Sequence, residues 1–201
     1  YVTIDYGLDM LAALWIAIDE NNHACVYRVD GGPNKTIGEA ADLILRDSAD
    51  EEIDMYLAPS DLWSRSQESG KSRAQLFSEA GLGLVQTSRD FPAGCAAMKQ
   101  WLRKDEKTGK GFLTFYKPGE LWTCMTKIQK DDKNPDVYAK NPHGLTHYPD
   151  ALRGFCVWWT SPAKKPVNIK RNKWTADMYE DYRNANAEER KMLIERWGHP
   201  A

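Results

Sequence analysis

The stretch YVTIDYGLDMLAALWIAIDENNHACVYRV, residues 1–29, decides the fold. Residues 1–5 alternate apolar and polar, Gly7 interrupts the pattern, and residues 11–18 follow as a second β-rich run. Asp19-Glu20-Asn21-Asn22 has turn chemistry, and residues 23–29 form a third run through Cys25, Val26, Tyr27 and Val29. Consecutive strands with short turns predict an antiparallel meander.

Downstream the period changes from strand-like to helical. The Gly- and Pro-rich residues 30–35 read as a loop, and Thr36-Ile37-Gly38-Glu39 has the spacing of a capping box. Ile37, Ala40, Ala41, Ile44 and Leu45 then recur at helical spacing. A short strand at 53–57, a helix at 72–79 ending at the C′ glycine Gly81, a strand at 82–87 and a helix near 96–103 complete the first half. The order β-β-β-α-β-α-β-α predicts an α/β fold, in which three antiparallel strands are followed by crossover strands parallel to the first. Residues 112–116 are an apolar stretch, and helices are expected at 120–129 and 147–159, separated by a loop at 131–145. Beyond 161 the composition shifts to a basic linker and a charged helical tail at 175–197, which divides the chain into a domain at 1–160 and an appendage at 161–201.

Composition narrows the function classes. The chain has 201 residues, 27 Lys plus Arg against 29 Asp plus Glu, a net charge of −2 and 42% hydrophobic residues, as expected of an ordinary globular domain. No run approaches the roughly 18 apolar residues of a membrane span, and no basic n-region precedes residues 10–18, so a soluble, unsecreted protein with no membrane partner is expected. The near-neutral balance excludes nucleic-acid binding driven by bulk charge but leaves room for local basic stretches. Two exist: Lys99, Arg103, Lys104, Lys107 and Lys110, and separately Lys164, Lys165, Lys170, Arg171 and Lys173. Cys25, Cys95, Cys124 and Cys156 have no metal-clip spacing and read as reduced thiols. Gly70-Lys71-Ser72 lacks the earlier glycine of a phosphate-binding loop, where Arg65 stands, and reads as a solvated loop.

Three acids stand where backbone geometry exposes them. Asp5 lies on the first strand and, by alternation, points away from Val2 and Ile4; an acid there must be paired, protonated or bound to a cation. Asp61 follows the fourth strand, at a strand end beside a change of sheet direction, where α/β sheets keep their ligands; Asp54 is the alternative. Asp150 and His147, three residues apart with Pro149 between them, share one face at the start of a buried helix. Converging carboxylates ask for hard cations. Mg²⁺ or Mn²⁺ fits, and two such ions about 4 Å apart can activate a water and stabilise the leaving oxygen of a phosphodiester.

These residues also carry a resemblance. Ile4-Asp5-Tyr6-Gly7, Leu57-Ala58-Pro59-Ser60-Asp61-Leu62-Trp63, the Gly70 to Gly81 segment and, most specifically, His147-Tyr148-Pro149-Asp150-Ala151-Leu152-Arg153 resemble the C-terminal nuclease domain of tailed-phage and prophage terminase large subunits. The likeness spans residues 1–159. It implies an RNase H-like fold with a mixed five-stranded sheet flanked by helices, and a metal-dependent endonuclease that cuts concatemeric viral DNA during packaging in the bacterial cytoplasm. Asp5, Asp61 and Asp150 would bind Mg²⁺ or Mn²⁺ in a two-ion site, with His147 beside them. In many relatives the middle acid precedes the proline, where this chain has Ala58. The implied partners are double-stranded DNA, the portal, the small terminase subunit and an N-terminal ATPase motor, whose absence here agrees with the start at Tyr1. Two other readings are a resolvase or transposase core on the same fold and a non-catalytic packaging-assembly module.

Overall fold

Alternation along the first strand sorts the core into two layers. In a computed structural model, which describes all residues except Leu8, Lys107, 161–170, Lys173, Gly198 and Ala201, β1 (Val2–Tyr6) buries Val2, Ile4 and Tyr6 on one side of a sheet. These join Leu11, Ala13 and Trp15 of β2 (Met10–Ile18) beneath α1 (Ile37–Asp47) and α2 (Arg73–Glu79). The other face carries Ala12, Leu14 and Ile16 of β2 and Ala24 and Val26 of β3 (Ala24–Pro33), covered by α3 (Phe91–Trp101), α4 (Gly119–Lys127) and α5 (His147–Thr160). Thr3 and Asp5 point to this second face, as alternation requires.

The strand order is β5-β4-β1-β2-β3-β6, where β4 is Tyr56–Pro59, β5 is Leu84–Thr87 and β6 is Leu113–Phe115. β1 runs antiparallel to β2 and parallel to β4, so the sheet changes direction beside β1. The mixed α/β architecture expected from the sequence is present, and it carries one strand more than the five anticipated. That strand, β6, is the apolar stretch at 112–116, which pairs in parallel with Ala24, Cys25 and Val26 at the sheet edge.

Other differences have local causes. The loop expected from residue 30 is strand as far as Pro33, because Gly31 and Gly32 pair with Ala12 and Leu11. A Cβ at Gly31, with φ of +152°, would lie 2.1 Å from the Leu11 carbonyl oxygen, so only glycine lets the strands approach there. Helix α3 starts at Phe91, earlier than residue 96, because Asp90 caps it by accepting from Ala93 N–H at 2.9 Å with Pro92 in the first turn. The capping box on α1 forms as read: Thr36 N–H donates to Glu39 Oε2 at 2.8 Å, and Thr36 Oγ1 accepts from Glu39 N–H at 3.3 Å.

The chain divides into two compact units, Tyr1–Ser161 and Pro162–Ala201. In the second unit the single helix expected at 175–197 is two, α6 (Ala176–Asn184) and α7 (Ala187–Trp197). Asn186 interrupts it: its Oδ1 accepts from Glu188 and Glu189 N–H, and Glu189 Oε2 accepts from the Asn186 N–H at 2.8 Å. Of the second basic stretch, Lys164, Lys165, Lys170 and Lys173 lie outside the described residues.

Candidate metal centre

The site forms where α5 meets the end of β1. Thr3 Oγ1 donates to the Ala151 carbonyl at 2.8 Å, and Gly154 lets the helix lie close, since a Cβ there would stand 3.3 Å from Thr87 Oγ1 and 3.6 Å from Thr3 Oγ1. Docked this way, the first turn of α5 brings His147 Nδ1 to 2.9 Å from Asp5 Oδ2. The imidazole is buried at 5% exposure and the carboxylate half-buried at 23%. Burial pushes the Asp5 carboxyl above the ordinary carboxylate range; the hydrogen bond from His147 opposes this, and the charges of Asp150 and Asp61 reinforce it. Asp5 in turn raises His147, chiefly through that hydrogen bond and against burial, with Asp9 and Asp150 adding to the rise.

Asp150 is braced from one side. Its Oδ1 accepts from Tyr138 Oη at 2.6 Å and from Arg153 Nε at 3.0 Å, so both donors take the same oxygen. Arg153 stacks on the Phe91 ring at 5.1 Å and fits because residue 94 is glycine, where a Cβ would lie 2.7 Å from Arg153 Cγ. Burial is the main cause of a strong upward shift of the Tyr138 phenol, followed by the Asp150 charge, so Tyr138 remains a donor. Replacing Tyr138 by Phe removes a hydrogen bond to a carboxylate and is expected to lower stability by about 1.5–3 kcal/mol, measured by urea unfolding. A loss below about 0.5 kcal/mol would mean that this bond does not hold Asp150.

Asp61 sits in a 3₁₀ turn, Ser60–Trp63, directly after β4, and its Oδ2 accepts from Arg73 Nη2 at 3.1 Å. The pair is exposed, yet Asp61 is close enough for its charge to raise Asp5. Asp54 lies elsewhere, near Tyr1, where burial first and then Asp54 raise the Tyr1 phenol. Two residues that the sequence reading passed over also join the site. Asp9, in the β1–β2 turn, places Oδ2 3.3 Å from His147 Nε2 and 3.4 Å from His143 Nε2. His143 begins the 3₁₀ turn His143–Leu145 that leads into α5. The four-residue intervals Asp5 to Asp9 and His143 to His147 were the available signals.

The remaining motifs have structural uses. Ser72 caps α2 by accepting from Gln75 N–H at 3.1 Å, and Lys71 pairs with Glu79 at 2.8 Å, which accounts for Gly70-Lys71-Ser72 without a phosphate. Lys99 pairs with Asp136 at 3.3 Å and Arg103 donates to Gln100 at 3.0 Å, while Lys107 lies outside the described residues. The four cysteines are reduced thiols, as expected from their spacing.

No protein-family model matches the chain, and no curated protein matches it. Among solved structures, it is similar to the nuclease domain of the g2p large terminase from bacteriophage SPP1 with bound Mn, at a TM-score of 0.52 and 13% identity, covering 79% of this chain and 85% of that one. It is also similar to the nuclease domain of the large terminase subunit gp2 of bacterial virus Sf6, at 0.46 and 16%, covering 80% and 86%. At 13% identity the likeness to the SPP1 domain is one of fold: an RNase H-like mixed sheet flanked by helices.

Proposed function

We propose that this chain is a metal-dependent endodeoxyribonuclease of a phage or prophage large terminase, cutting concatemeric viral DNA during packaging by two-metal phosphodiester hydrolysis. One observation carries the reading: Asp5 is a half-buried carboxylate raised by burial and by two further acids, Asp150 and Asp61, and it is answered by a single imidazole. This excess of negative charge and oxygen ligands suits hard divalent cations. Asp5, Asp61 and Asp150 would hold Mg²⁺ or Mn²⁺, with His147 beside them. Ions bound there would supply water activation and charge stabilisation of the leaving oxygen. The SPP1 domain was solved with bound Mn, which agrees with this choice.

The chain's own residues do the positioning. Tyr138 and Arg153 occupy Oδ1 of Asp150 and fix the carboxylate's rotation, leaving its other oxygen for a ligand role. Asp5 orients His147, and Arg73 steadies Asp61 at the rim, where a guanidinium 40% exposed can also meet a phosphate. Lys99, Arg103, Lys104, Lys107 and Lys110, and the stretch from Lys164 to Lys173, would hold the DNA backbone without reading sequence. Among the described residues no helix is long and apolar enough to cross a membrane. Portal, small subunit, ATPase motor and the host cytoplasm complete the proposed setting.

Calorimetric titration of Mn²⁺ and Mg²⁺ into the chain without DNA tests the reading. Binding by the wild type that Asp150→Asn abolishes is the expected result. No binding at millimolar concentration would favour the packaging-assembly module.

A further inference from the structure

His147 has two ring nitrogens, and the nuclease reading places only Nδ1. That nitrogen lies against the Asp5 carboxylate and donates to it, so in the neutral ring the ligand atom is Nε2, which stands 3.3 Å from Asp9 Oδ2. The second imidazole is set in the same way. Thr146 Oγ1 spends its one proton on the His143 carbonyl at 2.9 Å, so towards His143 Nδ1, 3.4 Å away, it can only accept. His143 Nε2 is then the bare nitrogen, and it stands 3.4 Å from the same Asp9 oxygen. Two imidazole nitrogens and one carboxylate oxygen are therefore neighbours at the mouth of the β1–β2 turn.

We propose that Asp9, His143 and His147 form a binding site for a transition-metal ion of the Zn²⁺ or Co²⁺ kind, with Asp5 as the outer carboxylate that orients His147. The ligand atoms lie within 4.8 Å of one another. A tetrahedral ion with bonds of about 2.05 Å holds its ligands about 3.4 Å apart, which the two nitrogen-to-oxygen distances of 3.3 and 3.4 Å already match. Two imidazoles and one carboxylate favour such ions over Mg²⁺, which prefers all-oxygen shells. The hydrogen bonds at both Nδ1 atoms are the outer contacts that such sites use to fix ring orientation. Asp9 and His143 are 58% and 66% exposed, so an ion can reach the site from solvent, and three protein ligands leave a position open for water. Nothing in this proposal requires Asp61, Asp150 or DNA.

The test is a titration of the full, tag-free, metal-free chain with Zn²⁺ by calorimetry and with Co²⁺ by visible absorption. The expected result is one ion per chain with a tetrahedral Co²⁺ spectrum. His143→Ala and Asp9→Asn should each weaken Zn²⁺ binding by about tenfold or more, leaving thermal unfolding unchanged. Asp61→Asn should keep the Zn²⁺ site. Zn²⁺ binding equal to wild type in both His143→Ala and Asp9→Asn, or no micromolar Zn²⁺ binding by the wild type, would overturn the proposal. A chain that cuts no DNA yet loses Zn²⁺ on His143→Ala would retire the nuclease reading and keep this one.

Discussion

Asp5→Asn is expected to reduce Mn²⁺-dependent DNA cleavage by roughly 10³-fold or more while leaving the fold intact. The amide keeps an oxygen that can accept from His147 Nδ1–H at the present 2.9 Å, so the contact between β1 and α5 survives. What disappears is the negative charge, and the site depends on that charge. In the folded chain this charge is disfavoured by burial and by Asp150 and Asp61, so removing it relieves repulsion as well. The melting temperature without metal should therefore stay the same or rise. Added Mn²⁺ should raise it for the wild type and not for the variant. Cleavage within tenfold of wild type, from a folded variant, would remove Asp5 from the site.

The second large effect is on stability. Phe155→Ala is expected to cost about 3–5 kcal/mol, a large part of the roughly 5–15 kcal/mol that holds a domain of this size. Phe155 is fully buried and packs against Tyr1, Trp101 and Trp159, with ring centroids at 6.4, 5.8 and 6.5 Å. It lies on the same helix as His147 and Asp150, between the sheet and α3, so a cavity there loosens the seat of both site residues. Urea unfolding measures the loss, and a change below about 1 kcal/mol would mean that the α5 layer is not closely packed.

Where the fold was legible in the sequence, local signals sufficed. The alternation of Val2, Ile4 and Tyr6 against Thr3 and Asp5 assigns the faces of β1, and Thr36 with Glu39 marks the start of α1. Pro149 places Asp150 in the first turn of a buried helix. The rest depends on partners distant in sequence. Gly31 and Gly32 read as loop because only their pairing with β2 makes them strand, and β6 is too short for its alternation to show. The Asp5–His147 contact joins residues 142 positions apart, and the brace on Asp150 needs Tyr138 delivered by a loop. Asp9 and His143 had a readable spacing but no element to place them on, since both lie in turns.

Nicking of supercoiled plasmid by the purified chain tests whether the acids gathered around Asp5 serve DNA hydrolysis. The expected result is nicked circles with Mn²⁺ or Mg²⁺, none when EDTA is added, and none from Asp150→Asn at any metal concentration. Nicking that persists in EDTA or survives Asp150→Asn, or intact plasmid under every metal condition, would contradict it.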